Sequence, residues 1–305
     1  MALQLFSQPQ AANKPLAVAL GAFDGMHRGH MQVLQAAQRC ATQGYCTAVF
    51  SFDRVIGTVK KTKQLLSSRQ HHELLAQMGF ERLYLPDFQT MRHLTPEAFV
   101  KTVLHEQMQV KHVFCGFNYR FGCRGIGDST QLQALCASLG IAATVIPPLL
   151  ENGEPISSTR IRQLVADGEM EQAEKLLGRP YSIDFKVMHG RALGRTLGLP
   201  TINQPFPENF VLPRFGVYAS SVTLNGQRYH AVTNVGVKPT VGAEGPLAET
   251  YIVGFSGDLY DRHVLVELRC FLRTEQKFSS VEALKQQMLR DSYAAQQVLN
   301  SENSK

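Results

Sequence analysis

Two histidines lie three residues apart in the segment GAFDGMHRGH, residues 21–30. The segment follows an apolar run at residues 16–23 and precedes a stretch with helical spacing, so it joins a predicted strand to a predicted helix. On a helix, His27 and His30 share one face. The amides at a helix start favour an anion, and two imidazoles there can donate hydrogen bonds to a phosphorus centre that gains charge. The pattern predicts phosphate chemistry; chance surface histidines, or a zinc pair lacking evident further ligands, are the alternatives.

Two further segments of the first half carry polar groups suited to phosphates. GFNYRFGCRGIGD, residues 116–128, places Asn118 just after a predicted strand, where a side chain can face a ligand. ISSTRIR, residues 156–162, offers hydroxyls that can cap a helix, followed by two cationic donors: Ser157, Ser158, Thr159, Arg160 and Arg162. The alternatives are an ordinary turn asparagine and a plain helix cap with solvated arginines.

A glycine-rich stretch in the second half, VMHGRALGRTLGLPTINQPFP at residues 187–207, also follows a predicted strand. Gly190, Gly194 and Gly198 would let a loop wrap a nucleotide with backbone amides as donors. No GK[ST] ends the stretch, so it is not a Walker A motif. On glycine content alone, a plain loop remains the alternative.

The elements that must position these residues change character along the chain. Up to about residue 158, strands alternate with helices, which predicts a parallel sheet with helices on both faces. The strands are expected at residues 16–23, 46–52, 81–86, 111–116 and 141–147. Two short helices closed by Gly168 and Gly178 follow. Beyond them, dense short strands with an Asn225-Gly226 turn predict an antiparallel barrel or sandwich, and a helix opened by Ser279 or Ser280 closes the chain.

Length, charge and cysteine content narrow the class of protein. The chain has 305 residues, which suits two domains, and 44% of them are hydrophobic, as in ordinary globular proteins. No apolar run is long enough to span a bilayer and no signal peptide is evident, so a cytoplasmic location without membrane association is expected. The net charge of +6 suits phosphate-bearing small molecules as well as nucleic acid, which is not expected as a partner. The six cysteines lack CxxC spacing and are interpreted as reduced thiols.

Taken together, the motifs resemble those of one enzyme family. GAFDGMHRGH resembles the nucleotidylyltransferase signature G-x-F-D-G-[VM]-H-x-G-H, and the segments at residues 116–128 and 156–162 follow it at the expected spacing. GRTLGLPTIN resembles the riboflavin kinase signature G-R-T-L-G-F-P-T-A-N, and NVGVKPTVG and AETYIVGFSGDLY resemble later segments of that kinase. The chain is similar, from about residue 16 to 299, to bacterial bifunctional riboflavin kinase/FAD synthetases.

The resemblance implies a Rossmann-like FMN adenylyltransferase domain at residues 1–180 and a β-barrel riboflavin kinase domain at residues 181–305. In the first domain, His27 and His30 would stabilise the α-phosphate of ATP during transfer. The residues implied to bind ATP there are Phe23, Asp24, Gly25, His27, His30, Asn118, Ser158, Thr159, Arg160 and Arg162. Riboflavin, FMN and ATP are the implied partners, and no obligatory protein partner is expected.

In the second domain the resemblance implies that Glu249 is the base that accepts a proton from the ribityl hydroxyl of riboflavin. The residues implied to hold ATP are Gly190, Gly194, Gly198, Pro200, Thr201 and Asn203. Thr201 and Asn203 would also hold Mg²⁺ together with the phosphates, and such neutral oxygens suit that ion. Phe255 and Tyr260 are interpreted as barrel packing, with flavin stacking as the alternative. Arg290 of the last helix could lie near the flavin or be simply solvated.

One departure from the family keeps an alternative open. Where the family shows T-F-x-P-[HQ]-P, this chain has SFDRVIGT at residues 51–58, and Arg54 replaces a proline. A riboflavin kinase whose first domain has lost adenylylation is therefore one alternative. A non-catalytic flavin-binding regulator is another, and an RNA-binding protein is a third, which a steep salt dependence of binding would support.

Overall fold

Contacts divide the chain into two units. The structure, a computed structural model, describes residues 2–52, 62–190, 198–237 and 245–302. The first unit comprises residues 1–62 and 68–157, and the second comprises residues 63–67 and 158–305. The division therefore lies before the boundary predicted after residue 180. It does so because the two short helices of residues 158–177 belong with the second unit, where the Glu174 carboxylate pairs with the Arg269 guanidinium at 3.4 Å.

The first unit is built on a six-stranded parallel sheet in the order β1-β4-β3-β2-β5-β8. Its strands, with two short hairpins, are β1 Gln4–Phe6, β2 Leu16–Leu20, β3 Cys46–Phe50, β4 Arg82–Tyr84, β5 Val110–Gly116, β6 Arg120–Phe121, β7 Gly127–Asp128, β8 Ala142–Ile146, β9 Leu150–Glu151 and β10 Glu154–Pro155. Its helices are α1 Arg28–Gln38, α2 Ser68–Gln77, α3 Phe88–Met91, α4 Pro96–Ala98 and α5 Ser129–Ser138. A 3₁₀ turn, Arg39–Gln43, extends α1, and a π-helical stretch, Phe99–Gln107, extends α4.

The predicted Rossmann-like architecture is confirmed, and several local signals explain it. Strands β2 and β3 are buried throughout, as apolar strands covered on both faces must be. The helix that begins with α1 ends at Gly44, whose φ of 84° is the left-handed cap expected there. Thr95 caps α4 by accepting a hydrogen bond from the Ala98 amide at 3.1 Å. Strand β1 was not predicted; it adds a parallel edge beside β4.

The second unit is an antiparallel six-stranded sheet in the order β11-β16-β13-β14-β15-β12. Its strands are β11 Tyr181–Ile183, β12 Thr201–Pro205, β13 Gly216–Leu224, β14 Gln227–Val237, β15 Pro246–Ile252 and β16 Val266–Arg273. Its helices are α6 Ser158–Asp167, α7 Met170–Leu177 and α8 Val281–Glu302. Gly168 and Gly178 follow α6 and α7 with φ of 83° and 78°, as predicted.

The sheet curls into a half-barrel, so the predicted barrel fold is confirmed in this form. The buried Gln204 side chain helps to close it, because its Nε2 donates to the Phe185 carbonyl at 2.6 Å and the Val264 carbonyl at 2.8 Å. Asn225 and Gly226 both have positive φ, as a two-residue hairpin turn requires. Helix α8 packs on one face of the sheet and its start is capped by Ser280, whose Oγ accepts from the Ala283 amide at 3.1 Å.

A short segment of the chain's first half, Lys63–Ser67, belongs to the second unit. The Gln64 amide donates to the Asn209 carbonyl at 2.7 Å, and the Val211 amide donates to the Gln64 carbonyl at 2.9 Å. The Arg162 Nε donates to the Lys63 carbonyl at 2.6 Å. The segment is therefore held by backbone pairing of the kind found between strands.

Candidate active sites

The turn between β2 and α1 holds its residues in a strained backbone conformation. Phe23, Gly25 and Met26 have φ of 48°, 80° and 39°, and the Met26 amide donates to the Phe23 carbonyl at 3.1 Å. Positive φ is uncommon for bulky side chains and costs on the order of 1–3 kcal/mol per residue. Both Phe23 and Met26 are buried, so packing can hold the turn in this shape. Strain of this kind concentrates at functional sites.

The two histidines of the first motif are in direct contact. The His27 and His30 rings stack with their centroids 3.6 Å apart and an interplanar angle of 18°, and the Phe23 ring meets His30 edge to face at 5.5 Å. His27 is also the N-cap of α1, because its Nδ1 accepts from the His30 amide at 3.2 Å. With Nδ1 acting as an acceptor, a neutral His27 ring carries its proton on Nε2 and can donate from that atom.

Two glycines of the first motif make room for its own side chains. A Cβ at Gly21 would lie 2.9 Å from the Phe23 ring, and a Cβ at Gly29 would lie 3.3 Å from the His27 ring. In both cases an aromatic ring of the motif lies beside the bare backbone. Gly25, with φ of 80°, has the left-handed conformation that glycine adopts most readily.

The sheet brings the second motif to the same edge as the first. Strands β2 and β5 are parallel neighbours, and the first motif follows the carboxyl end of β2 while Asn118 lies in a turn after β5. The Asn118 Oδ1 lies 3.5 Å from where a Cβ of Gly116 would be. Ligands of open parallel sheets bind outside the carboxyl ends of such strands. Asp24 is buried beside the histidine turn, whereas Asn118 is exposed.

The third motif begins in the first unit and continues in the second. The Ile156 carbonyl lies 3.8 Å from where a Cβ of Gly29 would be, so the start of ISSTRIR is next to the histidine motif. The remaining predicted nucleotide-binding residues of this motif lie on the first turns of α6 in the second unit: Ser158, Thr159, Arg160 and Arg162. Arg162 donates from Nε to the Lys63 carbonyl, so this atom already has a structural partner.

In the second unit, the predicted base and metal-binding residues lie on adjacent strands. Asn203 of β12 pairs with Glu249 of β15 in the sheet register, and Thr201 pairs with Tyr251. Residues paired in this way have their Cβ atoms about 4.5–5.5 Å apart, on the same face. Thr201, Asn203 and Glu249 are half-buried. The structure therefore brings together the three residues that the sequence assigned to proton and metal binding.

The glycine-rich stretch approaches the same place. The Met188 amide donates to the Asn203 carbonyl at 2.8 Å, and a Cβ at Gly190 would lie 2.4 Å from the Asn203 Nδ2. Gly198 has φ of 75°, and none of the described residues comes within 4 Å of its Cβ position. Gly194 lies outside the described residues.

An open cavity of about 660 Å³ lies at this end of β12. Pro200 and Thr201 line it, together with His189 and Tyr260, whose rings stack with centroids 3.8 Å apart. A volume of this size is typical of small-molecule sites. His189 was not predicted as a site residue, although it lies within the glycine-rich stretch. Phe255 lines the cavity as well and meets Tyr229 edge to face, so it both packs and faces open space.

The residues present suit a Mg²⁺ ion that arrives bound to a nucleotide, rather than one held by protein ligands alone. Among the described residues, no group of three or more His, Cys, Asp or Glu side chains is placed to hold a metal ion. The Thr201 hydroxyl and the Asn203 amide oxygen are neutral oxygen donors two residues apart on one strand face. Mg²⁺ takes few protein ligands when phosphates and water supply the others.

The cysteines take no part in either site. All six are free, and burial raises the pKa of the Cys115 thiol to about 11 and that of Cys136 to about 12. A thiol with such a pKa stays protonated at neutral pH and is a poor nucleophile. Cys115 and Cys136 belong to the main apolar cluster of the first unit, where they fill the core.

Two family models match the chain, one in each half. The FAD synthetase model matches residues 9–160, and the riboflavin kinase model matches residues 177–299. The first match contains the histidine motif, Asn118 and the start of ISSTRIR. The second contains the glycine-rich stretch, Thr201, Asn203 and Glu249.

Solved and curated proteins resemble the chain over nearly its whole length. A crystal structure described as a macrolide-efflux protein from Streptococcus pneumoniae has a TM-score of 0.83 and 29% sequence identity, and the match covers 97% of this chain and 99% of that one. No helix in the described part of this chain is long and apolar enough to cross a membrane.

Two curated relatives are called bifunctional riboflavin kinase/FMN adenylyltransferase. The Listeria monocytogenes protein is 36% identical over 90% of this chain and 89% of its own length. The Escherichia coli K12 protein is 35% identical over 94% of each.

Identity above 30% over most of both chains, joined to a matching family model in each half, identifies the family. The chain carries both a FAD synthetase domain and a riboflavin kinase domain. It belongs to the bifunctional riboflavin kinase/FMN adenylyltransferase family.

Proposed function

We propose that the chain converts riboflavin to FMN in its second unit and FMN to FAD in its first, with ATP as the co-substrate of both reactions. The observation that carries the kinase assignment is the pairing of Glu249 with Asn203 on adjacent strands, two residues along β12 from Thr201, which lines the cavity. The stacked His27 and His30 at the start of α1 support the transferase assignment. A cytoplasmic location remains a prediction from the sequence.

In the kinase reaction, the terminal ribityl hydroxyl of riboflavin attacks the γ-phosphate of ATP and ADP leaves. Glu249 accepts the proton of that hydroxyl, which requires a carboxylate within hydrogen-bond reach of the attacking oxygen. Thr201 and Asn203 orient the phosphates from the neighbouring strand. Mg²⁺ held by Thr201, Asn203 and the phosphates would supply neutralising charge.

In the adenylyl transfer, a phosphate oxygen of FMN attacks the α-phosphate of ATP and pyrophosphate leaves. This step needs no covalent intermediate, so the protein contributes positioning and charge stabilisation. The Nε2–H of His27 and the ring of His30 donate hydrogen bonds to the α-phosphate oxygens as they gain charge. The cap formed by His27 Nδ1 supports this role because it fixes both the ring and its tautomer.

A time course of products tests both activities. Riboflavin, ATP and Mg²⁺ are incubated with the protein and the flavins are separated by chromatography; FMN should rise first and FAD should follow at its expense. Supplying FMN and ATP directly should give FAD without riboflavin. Absence of FMN from the first incubation would refute the kinase assignment.

A riboflavin kinase without adenylylation is the second candidate. The altered segment at residues 51–58, with Arg54 in place of a family proline, favours it, and residues 53–61 lie outside the described part of the chain. FMN formation without any FAD from supplied FMN would select this candidate.

A further inference from the structure

We propose that Glu275 is a positioning residue of the kinase site, and that it acts through Asn234 on the neighbouring carboxylate Glu249. The inference rests on the proposed kinase function. Neither residue has a role in the reaction described above, although Asn234 opens the NVGV segment that resembles the family.

Asn234 completes a row of three side chains on neighbouring strands, Asn203, Glu249 and Asn234, of which the first two are proposed site residues. Glu249 pairs with Asn203 on one side, in β12, and with Asn234 on the other, in β14. Cross-strand partners lie about 4.5–5.5 Å apart at their Cβ atoms, so the Glu249 carboxylate stands between two amides on one face of the sheet. The residues on either side of Asn234, Thr233 and Val235, are fully buried against the other face.

Glu275 reaches this row from the chain that follows β16. Its Oε1 accepts a hydrogen bond from the Asn234 Nδ2 at 3.2 Å. A Cβ at Gly236, two residues further along β14, would lie 2.1 Å from the same Oε1 and 2.9 Å from Oε2. The absence of a side chain at Gly236 is therefore what lets the carboxylate lie against the strand and reach Asn234.

The start of the Glu275 segment is itself anchored. Arg273, the last residue of β16, pairs with Asp291 of α8 through Nη2 at 2.7 Å and Nε at 3.0 Å, and its Nη1 donates to the Thr274 carbonyl at 2.9 Å. Asp291 is 5% exposed. A partly buried bidentate pair of this kind holds its geometry well. Glu275 itself is exposed, and this ion pair anchors the chain two residues before it.

The chemical consequence concerns the orientation of one amide. An asparagine amide has a donor end and an acceptor end, and the bond to Glu275 engages the donor end of Asn234 and so restricts rotation of the amide. Without that bond the amide can rotate beside Glu249 and disturb the alignment of the carboxylate with the attacking hydroxyl. Partners of this kind typically change activity by 10–100-fold at metal sites, and small misalignments of reacting groups have effects of similar size.

Steady-state kinetics of FMN formation test the proposal in the full-length protein. For Glu275→Ala we expect kcat to fall about 10-fold with little change in the KM for ATP, while FAD formation from supplied FMN is unchanged. For Glu275→Gln, whose amide oxygen can still accept from Asn234, we expect kcat within about 3-fold of the wild type. Adding Asn234→Ala to Glu275→Ala should cause little further loss, because both changes break the same link.

Glu267→Ala is the matched control. Glu267 is also a carboxylate of the β16 region and accepts hydrogen bonds from Ser221 at 2.6 Å and Arg228 at 3.2 Å, so its loss costs stability without touching the row. Its kcat should stay at the wild-type level. A wild-type protein that makes no FMN would overturn the proposed function. A wild-type protein that makes FMN, with Glu275→Ala equally active or Glu275→Gln as slow as Glu275→Ala, would overturn the inference alone.

Discussion

A single added methyl group at Gly190 should separate the two activities. The Cβ of Gly190→Ala would lie 2.4 Å from the Asn203 Nδ2 and 2.9 Å from its Cγ, whereas ordinary contacts begin at 3.4 Å. The Asn203 amide must therefore retreat by about 1 Å from its place beside Glu249. A displacement of that size at a reacting group can cost about 100-fold in rate, which corresponds to about 2.7 kcal/mol.

The assay is the rate of FMN formation from riboflavin and ATP, with FAD formation from supplied FMN measured in parallel. For Gly190→Ala we expect kcat/KM of the kinase to fall about 100-fold while adenylylation stays unchanged. Gly190 is exposed, so the midpoint of thermal unfolding should shift little. Gly226→Ala serves as the control for a glycine replaced in another part of the sheet: its φ of 80° means that the change should lower the midpoint of thermal unfolding, whereas the kinase rate of the folded protein should stay unchanged.

A double-mutant cycle completes the test. In an Asn203→Ala background the atoms struck by the new methyl group are gone, so Gly190→Ala should cause little additional loss. Full kinase activity of Gly190→Ala would refute the reasoning. So would an equally large loss of kinase activity on adding Gly190→Ala to Asn203→Ala as on adding it to the wild type.

Three further predictions concern other residues of the two units. His27→Ala should lower FAD formation about 100–1000-fold and spare the kinase, since one stabilising donor of the transfer is lost; equal loss of both activities in parallel assays would contradict it. Glu249→Ala should cripple FMN formation and leave FAD formation from supplied FMN intact, which product chromatography will show. Asp291→Ala leaves the Arg273 guanidinium, which is 22% exposed, without its bidentate partner. In urea titrations we expect the second unit to lose about 3–5 kcal/mol of unfolding free energy. Glu73→Ala, which breaks an exposed ion pair, should cause only a small loss.

The parts of the fold that the sequence predicted are those determined by local chemistry. Thr95 next to Pro96 marks a helix start, and Gly44 a helix end, because a hydroxyl cap, a fixed φ and a left-handed residue each act within one turn. The family motifs located both candidate sites. Contacts between distant parts of the chain were not predictable in this way. Strand β1 is only three residues long and pairs with a strand far along the chain, so it shows no periodicity.

The division by contacts lies before the predicted boundary for a related reason. Helices α6 and α7 contact the second unit, as the hydrogen bond from the Arg214 amide to the Val165 carbonyl at 3.3 Å shows, and such contacts between distant residues leave no local sequence pattern. The row that joins Asn203, Glu249 and Asn234 depends on sheet register, which a sequence pattern does not specify between strands that are distant in the chain. No local sequence pattern indicated that Glu275 would contact this row.

Because Lys63–Ser67 belongs to the second unit, no single truncation point in the chain separates the two units completely. A fragment that starts at Ser158 would lack Gln64, which hydrogen-bonds to the Val211 amide and the Asn209 carbonyl. These two backbone groups would then be exposed without their partners, as on an unpaired strand edge. It would also lose Leu65 and Leu66, both buried, whose transfer from water supplies about 2 kcal/mol each. We therefore expect a fragment that starts at Ser158 to fold poorly and to aggregate unless residues 63–67 are supplied with it.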